Sequence, residues 1–137
     1  MSFNIGDKAH FSKTIAEYDI YQFAGITGDF NPIHVNEIYA SVTKFKKRIA
    51  HGMLTASFIC TALGTKLPGV GTIHISQQLN FLKPVYIGDT ITVNLEVVEL
   101  LEKGYLKIHS YVTNQHSEIV VDGFSVVKPP KHAENEI

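Results

Sequence analysis

Residues 49–65 read IAHGMLTASFICTALGT, and no other stretch of the chain resembles them. There is no Asp, Glu, Lys or Arg among them; the conventional polar residues are His51, Thr55, Ser57, Thr61 and Thr65. Wound as a helix, the segment puts apolar or small side chains on every face, which predicts a helix buried on all sides. Arg48 and Lys66 bracket it. Its length, with Gly52 and several hydroxyls inside, makes it a poor membrane span.

Downstream, from Thr72, the apolar period changes to two. Ile91, Val93, Leu95 and Val97 alternate with Thr92, Asn94 and Glu96, the pattern of a half-buried strand. Leu106, Ile108 and Val112 alternate with Lys107, His109 and Thr113, and Ile119, Val121, Gly123 and Ser125 continue less cleanly. Gly88-Asp89 and Lys103-Gly104 mark tight turns between consecutive strands. These strands need a cover for their apolar face, and residues 49–65 are long and apolar enough to supply it. The expectation is α+β: a curved antiparallel sheet wrapped around one central helix.

Upstream, a short strand-like start leads into Ile15–Gly28, where Ile15, Tyr18, Tyr21, Gln22 and Phe23 fall at roughly helical spacing. Thr14 and Glu17 stand three apart in front of it, a capping-box signature. Asn31-Pro32 then opens a second short helix, since Asn is a good N-cap and Pro suits the first helical position.

The chain has 137 residues, enough for one domain with a real core, and the expectation is a single domain over 1–137 with a fraying polar tail from about 129. A formal net charge of −1 argues against a general nucleic-acid binder, which needs a broad basic field. The single cysteine, Cys60, excludes an internal disulfide and lies in an apolar run, as a buried inert thiol would. The N-terminal residues lack the apolar core of a signal peptide, and no stretch reaches the roughly 20 apolar residues of a membrane span. A cytoplasmic protein without membrane attachment is expected.

The chemistry concentrates in Gly28-Asp29-Phe30-Asn31-Pro32-Ile33-His34. The helix start at Asn31-Pro32 places Asp29 in the preceding turn and His34 in the first turn. A carboxylate and an imidazole can then converge although they are five residues apart, which one continuous helix would forbid. Such a pair can hold and polarise a water while exchanging protons with it. A second element is His51-Gly52-Met53 at the start of the central helix. The first N–H groups of a helix have no internal partner and lie at its positive end. Gly52 lets an oxygen approach the backbone closely, as an oxyanion site requires, although tight packing alone would also explain a glycine there.

The run from Phe23 to Ala40 resembles the hydratase signature of the MaoC-like dehydratases and (R)-specific enoyl-CoA hydratases, with Gly28, Asp29, Asn31, Pro32, His34 and Ala40 matching at the expected spacings. Arg48–Ser57, RIAHGMLTAS, resembles the start of that family's central helix, and Phe81–Val85 followed by Gly88-Asp89 resembles its characteristic strand and turn. The likeness extends from about Phe3 to Lys128. It implies the hot-dog fold, in agreement with the helix-in-sheet expectation, and reversible syn hydration of a trans-2-enoyl thioester to the (R)-3-hydroxyacyl thioester. Asp29 and His34 would be the acid–base dyad, the Gly52 N–H the oxyanion donor, and Asn31 an orienting residue. Cys60 and Leu63, one helical turn apart, could line the acyl pocket as positions on that family's helix do, or serve core packing alone. No metal and no separate cofactor are implied, coenzyme A being part of the substrate, and a homodimer is.

Lys44, Lys46, Lys47 and Arg48 could meet the phosphates of coenzyme A, or form a solvated basic face. Acyl carrier protein stays open as the alternative carrier, which would make the chain a 3-hydroxyacyl-carrier dehydratase. The seven histidines show no HxxxH or HxH spacing of the kind that marks a metal site. A hot-dog thioesterase would place a carboxylate on or near the central helix, and residues 49–65 contain none. A non-catalytic thioester-binding module would have no use for Asp29 and His34 together.

Overall fold

A computed structural model describes residues 2–131 of the chain. Five strands, β1 (Lys8–Thr14), β2 (Ile73–Phe81), β3 (Thr90–Leu100), β4 (Leu106–Thr113) and β5 (Ile119–Lys128), form one antiparallel sheet in the order β1-β3-β4-β5-β2. Between β1 and β2 run the helices α1 (Glu17–Thr27), α2 (Pro32–Val35), α3 (Glu37–Ser41) and α4 (Gly52–Thr65). The sheet curls around α4, giving the hot-dog fold.

The period-two segments explain why the sheet has an inside. Ile91, Val93, Leu95 and Val97 of β3 and Leu106, Ile108 and Val112 of β4 are buried, joined by Val121 and Val127 of β5. Ile59 and Leu63 of α4 pack into this face. Burial of each such side chain contributes about 1.5–3 kcal/mol, so the helix is held chiefly by its apolar inner face. Two serines interrupt that face, Ser110 and Ser125. They bond each other at 2.7 Å, and Gln77 of β2 bonds both, so the group closes on itself without unpaired atoms. The pairing of β5 with the edge strand β2 is tight at Gly123, where a Cβ would stand 1.9 Å from the Gln78 carbonyl oxygen.

Several expectations need correction. The central helix begins at Gly52, not Ile49; Ile49 is extended and bridges Tyr86. It is not buried all round, because Met53, Ser57 and Cys60 form an exposed stripe, with Met53 55% accessible. The sheet curls over one side of the helix only, so uniform apolarity does not report which faces the chain itself covers. Thr14 and Glu17 do not cap α1. Thr14 belongs to β1 and bonds Thr90, while Asp19 accepts from the Ala16 N–H at 2.8 Å and closes the first turn. Gly88-Asp89 is a turn but not a hairpin, since β2 and β3 are not neighbours. It clamps the end of β1 instead: the Gly88 N–H donates to Ile15 O, and the Ile15 N–H to Asp89 O. Lys103-Gly104 does join paired strands, and both residues have positive φ. Of the tail, only Pro129–Lys131 lies within the described residues. Among the described residues no helix is long and apolar enough to cross a membrane.

Candidate active site

Gly28 ends α1 in the left-handed conformation (φ 80°), the geometry glycine adopts most readily, and its N–H donates to Ala24 O. The chain then turns on local bonds. The Asp29 N–H donates to Thr27 Oγ1, the Asn31 N–H donates to Asp29 Oδ1 at 3.1 Å, and Asn31 Oδ1 accepts from the Ile33 N–H. Asn31 therefore caps α2 with its side chain and steadies the Asp29 carboxylate with its backbone. Pro32 starts the helix, and His34 follows two residues later, 8% exposed.

His34 Nδ1 lies 2.7 Å from the Ile49 carbonyl oxygen. A carbonyl only accepts, so the proton sits on Nδ1 and the lone pair of the neutral ring is on Nε2. Burial lowers the His34 pKa below its ordinary value; the bond to Ile49 opposes this, the neighbouring His51 lowers it further, and Asp29 raises it. His34 is thus a neutral base at pH 7.

His51, which the sequence reading left without a role, is the N-cap residue of α4 and is 3% exposed. Its Nε2 lies 2.9 Å from the Asp29 carbonyl oxygen and must donate to it. Its ring stacks on His34 at 3.9 Å between centroids and packs against Phe23 at 4.9 Å. Both flanks of the dyad are therefore tied to the strand-like segment before α4. The signal available in the sequence was a histidine directly before the glycine that opens the apolar helix.

Asp29, His34, Gly52, Lys44, Lys83 and Thr55 line one cavity of about 670 Å³, whose apolar walls include Phe23, Phe81, Val85 and Val121. At its inner end α4 begins. The N–H groups of Gly52 and Met53 have no acceptor among the described residues. A Cβ on Gly52 would lie 2.8 Å from Phe81 Cδ1, so the glycine also serves packing. Asp29, His34 and His51 each bring a ligand-type atom within 4.8 Å of the others, a possible metal set by distance. The stacked rings, only 28° from parallel, make it a poor one: an ion in the plane of one imidazole stands well outside the plane of the other.

The remaining expected site residues do not gather here. Cys60 faces outward, with Sγ 3.6 Å from His74 Nδ1, and Leu63 is buried in the core; neither lines this cavity. The expectation of a buried thiol is thereby overturned. Arg48 is 8% exposed, bonds Tyr21 Oη at 3.0 Å and pairs with Glu17, so it anchors α1 and does not face a ligand. Lys44 lines the cavity, whereas Lys46 and Lys47 do not, Lys47 lying over the Tyr86 ring. Lys83, which sequence reasoning did not single out, also lines the cavity, with its ammonium paired to Glu118.

The arrangement can hold a water between a carboxylate and a neutral imidazole, facing a helix N-terminus able to receive negative charge.

The chain as a whole is similar to known proteins. The family described as MaoC like domain matches residues 2–120. An (R)-specific enoyl-CoA hydratase of Rhodospirillum rubrum is 48% identical over 126 residues, covering 91% of this chain and 87% of that protein. A 3-hydroxybutyryl-CoA dehydratase of Methylorubrum extorquens is 47% identical over 122 residues, covering 89% and 78%. Among solved structures, an unliganded R-hydratase from Pseudomonas aeruginosa superposes with a TM-score of 0.92 at 44% identity, over 95% of this chain and 84% of that one. The (R)-hydratase of Aeromonas caviae involved in PHA biosynthesis gives 0.91 at 38%, over 94% and 98%. The chain belongs to the MaoC-like domain family.

Proposed function

We propose that this chain is an (R)-specific enoyl-CoA hydratase, a hydro-lyase that adds water reversibly across the double bond of a trans-2-enoyl thioester. The observation that carries this reading is the meeting of Asp29, neutral His34 and the open N–H of Gly52 in one cavity. Water held by the dyad attacks C3, and one of its protons passes to the dyad. The electron pair displaced from the double bond moves toward the thioester oxygen, which the Gly52 N–H receives. The proton then returns to C2 on the same face, giving the (R)-3-hydroxyacyl thioester. Every atom of the water ends in the product, so the chemistry needs no redox cofactor.

Relatives from two organisms, named for hydration and for dehydration of coenzyme A thioesters, support the carrier and the reversibility. Lys44 on the cavity wall is suited to the phosphates of coenzyme A as a point charge, whereas Lys83, on the same cavity, is paired with Glu118. The open edge supports a homodimer: among the described residues β2 pairs only with β5, and it carries exposed Ile73 and Ile75 beside the uncovered stripe of α4. A second copy would cover both.

The test is crotonyl-CoA, followed by its enoyl absorbance together with free thiol. Loss of the chromophore without thiol release supports hydration. Thiol release would mean a thioesterase, and no change with either crotonyl-CoA or its acyl carrier protein counterpart would leave only a binding module.

A further inference from the structure

Thr55 lines the cavity four residues beyond His51, is 1% exposed, and its Oγ1 has no hydrogen-bond partner among the described residues. Other hydroxyls of the same helix behave differently. Ser57 and Thr65 turn back on the carbonyls four residues earlier, Met53 O and Thr61 O, each at 2.6 Å. For Thr55 that carbonyl belongs to His51 and already accepts from the N–H groups of Leu54, at 3.0 Å, and Thr55, at 3.3 Å. Both its lone pairs are taken, so the hydroxyl proton has no local acceptor.

A second buried atom nearby is in the same condition. His51 Nδ1 has no partner either. Because Nε2–H donates to Asp29 O, Nδ1 carries a lone pair and can only accept. Thr55 follows the N-cap residue His51 by four positions, and both residues line the same cavity. Leaving either group dry costs about 1–3 kcal/mol, whereas one water with two or more polar contacts satisfies both.

We infer that Thr55 and His51 Nδ1 together hold one ordered water, and that Thr55 thereby acts as a positioning residue. The water donates to Nδ1 and accepts from the Thr55 hydroxyl. With Nδ1 occupied as an acceptor, the His51 proton is fixed on Nε2, where it holds the Asp29 carbonyl and through it the carboxylate opposite His34. The relay runs from Thr55 through the water and His51 to Asp29, and Thr55 does not touch the reacting atoms. Its effect on turnover rests on the hydratase reading above; the water site and the tautomer do not.

The experiment uses the full chain with 15N-labelled histidine, comparing wild type, Thr55→Val and Thr55→Ser by NMR and by crotonyl-CoA kinetics. Valine keeps the shape and removes the hydroxyl; serine keeps the hydroxyl. The wild-type His51 ring should show a protonated Nε2 and a hydrogen-bonded, unprotonated Nδ1. In Thr55→Val the Nδ1 signal should move to its unbonded position or both tautomers should appear. kcat should fall roughly 2- to 10-fold, the equivalent of one hydrogen bond, with KM little changed and serine restoring both readouts. A wild-type His51 with its proton on Nδ1 overturns the proposal. So does a valine variant whose His51 signals match wild type, or a kcat loss that serine does not rescue. If wild type leaves crotonyl-CoA unchanged, the hydratase reading falls, and the His51 spectra still decide for or against the water bridge.

Discussion

The rings of His34 and His51 stack at 3.9 Å with their planes 28° apart, and each gives one N–H to a backbone carbonyl: His34 to Ile49, His51 to Asp29. The carbonyl bonds, not the stacking, set which nitrogen of each ring donates. The stack keeps a second imidazole against His34, which, together with burial, opposes its protonation.

A pH profile follows. His34 has its pKa below the ordinary 6.5, burial being the largest cause. If the neutral ring is the base, kcat/KM for crotonyl-CoA should hold through pH 7 and fall on the acid side with a midpoint below 6.5. An acid limb at or above that value would contradict the assignment. Stability should move in the same direction. The unfolded chain binds more protons at His34 than the folded one, so the His34 contribution is complete above pH 6.5 and is lost as pH falls through the folded value. Urea midpoints across this window, compared between wild type and His34→Gln, measure it.

Gly52 sits under Phe81, and the two roles open to the glycine can be separated. Gly52→Ala should destabilise by about 1–3 kcal/mol through overpacking and lose activity. Adding Phe81→Ala removes the ring atoms that lie 2.8 and 2.9 Å from the new Cβ. Because alanine retains the backbone N–H, the double variant should regain stability and much of its kcat, with KM raised by the shortened wall. Chemical denaturation and steady-state rates on the three variants check this; a double variant no better folded than Gly52→Ala would show that packing against Phe81 is not what the glycine serves.

Arg48 and Lys44, four residues apart, should separate into structure and binding. Arg48→Met removes the partner of Glu17 and Tyr21. It should lower stability by about 1–3 kcal/mol, below the range for fully buried pairs because Glu17 is half exposed, with KM unaffected. Lys44→Ala should leave stability alone and raise KM roughly 2- to 5-fold, the scale of one exposed charge contact. Equal KM values for Lys44→Ala and wild type would remove Lys44 from the substrate site.

Gly123→Ala tests the sheet. A Cβ 1.9 Å from Gln78 O cannot be accommodated without moving β2 away from β5. The variant should melt well below wild type and lose turnover, because β2 ends at Phe81 on the cavity wall. A melting temperature close to that of wild type would mean the two strands are not held as described.

What the sequence disclosed and what it hid have physical reasons. Alternation over 91–97 and 106–112 marks inward faces because a strand's period is fixed at two. Asn31-Pro32 marks α2 because cap and ring geometry are local. Asp29 and His34 meet through that same local turn, so their convergence was legible too. Cys60 was misjudged because an all-apolar helix does not tell which faces its own sheet covers. Arg48 was misjudged because a run of basic residues does not reveal which member finds a carboxylate 31 positions away. The place of His51 depends on a carbonyl 22 residues earlier and that of Lys83 on a cavity wall, and neither contact leaves a trace in local spacing.

The most direct measurement is kcat for crotonyl-CoA hydration by Asp29→Asn and His34→Gln, each shown to be folded by its thermal melt. Loss of a positioned acid–base group should reduce kcat by roughly 10²–10⁴ in either variant, with substrate binding better preserved. Turnover near the wild-type rate by either folded variant would contradict the account.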